Sequence, residues 1–108
     1  MLTAWLWLLA AIASEVVATV NLKLSAGFSR PVPSMIVVVG YAISFVFLSQ
    51  ALKTFDLGIA YAIWAGLGTA AVVLVGVALL GEPLTAIKAT GAGLVVAGVV
   101  LLNLGGAP

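Results

Sequence analysis

Four apolar stretches of membrane-crossing length, with almost nothing between them, leave this chain little choice of fold. The first runs from about Ala4 to Leu22, the second from about Met35 to Leu52, the third from about Ile59 to Leu80, and the fourth from about Leu84 to Leu104. Each is close to the ~20 residues that carry an α-helix across a ~30 Å hydrocarbon core at ~1.5 Å per residue. Charge and turn residues gather only in the connections: "GFSRPVPS" with Arg30, "KTFDLG" with Lys53, Asp56 and Gly58, and "GEPLT". The prolines are expected to exclude helix between Gly27 and Ser34, Gly81 to lie just past the third helix, and Pro83 to open the fourth. Connections this short make neighbouring helices antiparallel. No alternation of apolar and polar residues supports a β-barrel. The expected fold is an all-α membrane protein, one domain over 1–108, with four transmembrane helices, short loops and both termini on one side.

Composition closes the other routes. Of 108 residues, 65% are hydrophobic and 6% charged, too little polar surface for a soluble domain. The absence of Cys and His removes disulfides, thiolate chemistry, imidazole catalysis and the usual zinc ligands. No metal site, cofactor or catalytic group is expected; without paired acids inside the spans, neither is an enzyme. A net charge of +1 offers no basic patch to nucleic acid. "AIAS" imitates a signal-peptidase site, but no basic stretch precedes it and the apolar run continues past it, so the first segment is expected to stay. Lys23, Arg30 and Lys88 flank the first and third loops, with Lys53 on the other side, a slight bias toward cytoplasmic first and third loops. So even a distribution is compatible with insertion both ways. The chain is expected to be a multi-pass protein of the inner (plasma) membrane, with lipid as its surroundings.

Glu15 is the anomaly. It sits in the middle of the first block, where an acidic residue costs about 2.5–3.5 kcal/mol to insert. One reading is a tolerated carboxyl, protonated and hydrogen-bonded to Ser14 or Thr19. The sharper reading is a carboxyl that alternates between states, since burial favours its neutral form and an approaching cation its ionised form. At helical spacing Leu8, Ala11, Ile12, Ala18, Thr19 and Leu22 share its face, and the small ones leave room beside it.

Aromatic residues supply the second signal. In "YAIWAGLG", Tyr61, Trp64, Ala65 and Gly68 form one stripe, and Tyr41, Ser44 and Phe45 form another in the second block. Tyr and Trp also mark membrane interfaces, and Trp5 and Trp7 are assigned to that role alone. Tyr41 and Trp64 lie further into their spans, where aromatic faces can hold a cation with ~0.5–2 kcal/mol or more. A carboxylate among aromatic rings suits a hydrophobic cation and does not suit an anion. Gly66 and Gly68 follow Trp64 closely enough to serve as a hinge, and Gly76 loosens the same helix. In the fourth block Gly91 and Gly98 stand a heptad apart, and Gly93 and Ala97 have small-xxx-small spacing. That pattern fits dimer packing and packing within one chain equally well.

"SEVVAT", the following "LK", "GFSRPVPS", "YAIWAGLG" and the glycine-rich last helix ending "LNL" together resemble the small multidrug resistance family of proton-coupled exporters, from about Trp5 to Leu104. The resemblance implies an antiparallel homodimer in which helices one to three of each subunit line a shared chamber and helix four holds the pair. It implies that Glu15 binds proton and substrate in turn, that Thr19, Tyr41, Tyr61 and Trp64 line the chamber, with Ser44 beside them, that Gly68 bends helix three, and that Gly91 and Gly98 form the dimer seam. Guanidinium exporters of the family look like "EVVWA", with Trp where this chain has Ala18; "EVVAT" puts Thr19 where the quaternary-ammonium branch has it. Ala65 replaces the polar residue often seen after the motif Trp, which leaves the substrate range open. The expected activity is export of lipophilic or quaternary-ammonium cations against protons, with drug and proton competing for Glu15. The alternatives are a guanidinium exporter of the same family and a non-transporting membrane assembly partner.

Overall fold

The computed structural model describes residues 2–106. Four helices follow one another: α1 (Leu2–Leu24), α2 (Pro31–Ala51), α3 (Leu57–Leu79) and α4 (Ala86–Gly106). With 21 to 23 residues each, all four are long and apolar enough to cross a membrane. Helix is the form hydrocarbon imposes, because a helix satisfies every backbone N–H and C=O within its own segment. That is why α2 is helical through "IVVVG", a run of β-branched residues with poor helix propensity in water. The chain divides into two compact units between Phe55 and Asp56, each a helix pair.

In the first unit, α1 and α2 form an antiparallel hairpin. Thr19 meets Tyr41, Trp7 meets Phe47 and Trp5 meets Phe55, so partners retreat along α1 as they advance along the rest of the unit. Buried positions step by sevens on both helices: Ala4, Ala11 and Ala18 on α1, and Val37, Ser44 and Ala51 on α2. A seven-residue repeat is the seam of closely aligned helices. Small side chains along it replace the hydrophobic drive that lipid cannot supply. Trp5 and Trp7 do more than mark an interface. The Trp5 ring meets Phe55 edge-on at 5.1 Å, and Trp7 lies 5.3 Å from Phe47.

The first connection is a left-handed turn. Ala26, Gly27 and Phe28 have φ of 49°, 71° and 65°. Two of these are not glycine, so the turn needs external support. Buried Ser25 supplies it: its hydroxyl donates to the Leu22 carbonyl at 2.7 Å and accepts from the Phe28 N–H at 3.1 Å. Helix α2 then begins at Pro31, four residues earlier than the prolines suggested. A proline in a first turn lacks only an N–H that would have no partner there.

In the second unit α3 and α4 are antiparallel, with Gly66 under Val99 and Val95. The α3 helix runs uninterrupted through Gly66 and Gly68. Val99 occupies the space a Gly66 side chain would need, so this glycine permits close approach. Gly76 has a similar use, since the Glu82 carboxylate lies over its bare backbone. Its carbonyl also accepts both the Leu80 N–H at 3.2 Å and the Glu82 N–H at 3.0 Å, and Gly81 turns the chain with φ of 69°. Pro83 does not open α4. Thr85 does, its hydroxyl accepting the Lys88 N–H at 3.1 Å, with the helix beginning at Ala86. The Lys88 ammonium donates back to the Pro83 carbonyl at 2.9 Å.

Gly66→Ala is expected to destabilise the second unit by about 1–3 kcal/mol through overpacking, seen as a lower thermal unfolding midpoint in detergent. Gly58→Ala, in the first turn of α3 with nothing within 4 Å of an added methyl, should leave that midpoint unchanged or raise it.

Candidate functional site

Glu15 lies near the middle of α1, half-buried. Of the two neighbours able to bond it, Ser14 turns away and donates to the Ala10 carbonyl at 2.9 Å. Thr19, one turn further on, donates to Glu15 Oε1 at 2.8 Å. The i, i+4 spacing places the two side chains on one face, and the hydroxyl is a charge-assisted donor when the carboxyl is ionised. The Tyr41 hydroxyl, from α2, lies 2.8 Å from the same Thr19 oxygen. A three-member chain therefore runs from α2 to the carboxylate: Tyr41, Thr19, Glu15.

Gly40 places the tyrosine there. A Cβ built on Gly40 would lie 2.9 Å from the Ala18 Cβ, closer than such atoms sit, and a tight 3.3 Å from the Ser14 carbonyl. The bare backbone lets α2 rest directly on α1 at Ala18, and the next residue on each helix, Tyr41 and Thr19, are thereby brought to hydrogen-bond distance. Gly40 is the functional residue that the sequence reading missed. Its signal was present: glycine inside a helix costs about 1 kcal/mol relative to alanine, so one between Val39 and Tyr41 marks a close contact.

The other expected site residues are placed as follows. Ser44 is fully buried, and its hydroxyl donates to the Tyr41 carbonyl at 2.8 Å. Tyr61, Trp64, Gly66 and Gly68 belong to the second unit, on α3. Tyr61 is 69% exposed, Trp64 is half-buried, and both glycines are buried. On α4, Gly91 and Gly98 have nothing within 4 Å of an added Cβ, and no described residue of that helix is buried. Among the described residues no group of His, Cys, Asp or Glu could hold a metal. A groove of about 530 Å³ opens between α1 and α2, lined by Ala13, Ser14, Val17, Met35, Ile36, Val39, Gly40 and Ile43. It does not include Glu15, Thr19 or Tyr41, and its lining is apolar apart from Ser14.

The arrangement offers one ionisable oxygen pair at mid-membrane depth, fixed by a hydroxyl and backed by a phenol. It can hold a proton or a cation. A double-mutant cycle of Thr19→Val and Tyr41→Phe should give a coupling of about 0.6 kcal/mol, and up to ~1.7, the range for hydrogen bonds between membrane helices. Unfolding titrations in mixed micelles measure it.

Comparison with known proteins gives the same direction. The model of the family described as Small Multidrug Resistance protein matches residues 3–95. The chain is 48% identical over 100 residues to the quaternary ammonium compound-resistance protein QacE of Escherichia coli, covering 93% of this chain and 91% of that one. It is 48% identical over 104 residues to the multidrug resistance protein Mmr of Mycobacterium tuberculosis, with 95% and 97% covered. To the nicotine metabolites export pump subunit NepA of Paenarthrobacter nicotinovorans it is 50% identical over 103 residues, with 95% and 89% covered.

Proposed function

The chain belongs to the Small Multidrug Resistance family, and we propose that it exports lipophilic and quaternary-ammonium cations in exchange for protons, the two competing for Glu15. It is a multi-pass inner-membrane protein, and these relatives are named for resistance or export, not for catalysis. The observation that carries the reading is the mid-span carboxyl held by Thr19. An ionised group at that depth is costly, and either a proton or a cation relieves the cost. Both need the same oxygens, so one ligand displaces the other. Proton entry from outside expels the drug there, and the neutral site can then reorient. Tyr41 supplies an aromatic face for the cation's apolar shell.

Two copies complete the exporter. The open glycine seam of α4, at Gly91 and Gly98, is the packing surface for an antiparallel partner. Two copies bring two Glu15 carboxyls, whose titrations belong to the pair. Two alternating orientations of the pair give access to each side in turn. Against the guanidinium branch stands Ala18, fully buried where it meets Gly40, a place with no room for Trp. One specific observation favours a second reading: the relative NepA is named as a subunit of a pump. In that reading this chain pairs with a paralogue, and the purified chain alone would be inactive in liposomes until the second chain is added.

Binding of a lipophilic quaternary ammonium to the purified protein should strengthen with rising pH. Where Glu15 is protonated, affinity changes by about tenfold per pH unit for each proton displaced. The sign follows from the charge: the cation binds the ionised form, so acid weakens it. Glu15→Gln should remove both the affinity and its pH dependence; a Gln variant that binds as the parent does at every pH sinks the competition. Gly91→Leu with Gly98→Leu should lower the cross-linked dimer fraction in membranes several-fold and leave helix content unchanged by circular dichroism.

A further inference from the structure

We propose that Thr19 transmits the protonation state of Glu15 to Tyr41, by reversing the direction of the hydrogen bonds that join the three. The inference rests on the reading of Glu15 as a carboxyl that gains and loses a proton. A threonine hydroxyl has one proton to donate and two lone pairs to accept with. Thr19 Oγ1 has two oxygen neighbours, Glu15 Oε1 and the Tyr41 hydroxyl, each at 2.8 Å. When Glu15 is ionised it can only accept, so the Thr19 proton is committed to it. Tyr41 must then donate its single proton to Thr19. In that state the tyrosine oxygen has only lone pairs to offer to anything else.

A proton arriving on Oε1 inverts the chain. The acid donates to Thr19, Thr19 rotates its own proton toward Tyr41, and the Tyr41 O–H is released to donate elsewhere. One proton is added at the carboxyl, two hydroxyls rotate, and no proton leaves the chain. The ionised state fixes the first direction firmly, because a hydrogen bond to a carboxylate is roughly twice as strong as a neutral one. Each bond polarises the next.

The surroundings favour this route over a diffuse one. Ser14 and Ser44 have their hydroxyls on the backbone carbonyls of Ala10 and Tyr41 and take no part. On α1 the charged side chain nearest in sequence is Lys23, two turns beyond Glu15, and Tyr41 is the ionisable group of α2. Arg30, which donates to the Leu24 carbonyl, and Lys53 stand at the unit's loops. The remaining ionisable residues, Asp56, Tyr61, Glu82 and Lys88, belong to the second unit. Thr19 is thus a positioning residue: it changes what Tyr41 presents to a cation according to whether the proton is bound.

The test is carbon-13 NMR of the full-length protein in bicelles from pH 5 to 9, labelled at tyrosine Cζ and glutamate Cδ. Tyr41→Phe and Glu15→Gln spectra separate these signals from those of Tyr61 and Glu82. In the parent, the Tyr41 signal should move with the same midpoint as Glu15. In Thr19→Val, Glu15 should still titrate and Tyr41 should stay still; Thr19→Ser, which restores a hydroxyl, should restore the shared midpoint. A Tyr41 signal that is silent in the parent while Glu15 titrates overturns the coupling and leaves the competition standing, as when the proton settles on Oε2. A Tyr41 signal that still follows Glu15 in Thr19→Val also overturns it, and assigns the effect to the carboxylate's field. If Glu15 itself does not titrate, the functional reading fails and the coupling with it.

Discussion

In hydrocarbon a polar atom has no water to fall back on, and the serines of this chain are disposed accordingly. Ser14, Ser25, Ser34, Ser44, Ser49 and Thr90 each donate to a carbonyl three or four residues earlier on their own segment. No buried side-chain nitrogen or oxygen among the described residues is left without a partner. Thr19 departs from that habit. It sends its proton to a side chain and is met by a side chain from the next helix, although the carbonyl of its own residue 15 lay within reach of such a hydroxyl. The departure occurs beside the one acidic residue of the spans, and the site is built around it.

Close contact between helices is the second constraint, and glycine serves it in three places. Gly40 lets α2 rest on Ala18, Gly66 receives Val99, and Gly76 seats the Glu82 carboxylate. Because lipid tails are as apolar as the helices, such contacts must come from shape. The first of them does chemical service as well, since without it Tyr41 would stand away from Thr19.

Much of this could be read from the residues. The four helices followed from block length and composition, and the anomaly of Glu15 from its position alone. Thr19 followed from i, i+4 spacing. Helix starts were less legible: proline was read as a breaker at Pro31 and as an opener at Pro83, where the deciding features were an N–H that no first turn needs and the Thr85 hydroxyl. The bond from Tyr41 to Thr19 depends on the register of two helices. Register is set by contact between Gly40 and Ala18, a property of the pair that no single segment contains. A glycine after an aromatic residue, such as Gly66, can loosen a helix or admit a neighbour, and the approach of Val99 belongs to the pair of helices and not to the segment.

Helix α4 has a consequence of a different kind. A side chain added at Gly91, Gly93 or Gly98 would meet nothing within 4 Å, and none of the helix's described residues is buried. With the paired exporter proposed above, working units form by encounters in the plane of the bilayer, so at low copy number their abundance grows with the square of the amount of protein made. A cell that doubles expression under toxic challenge would then gain nearly four times the pumping capacity, until pairing saturates. Gene dosage becomes a steep control on tolerance without any regulatory site on the protein.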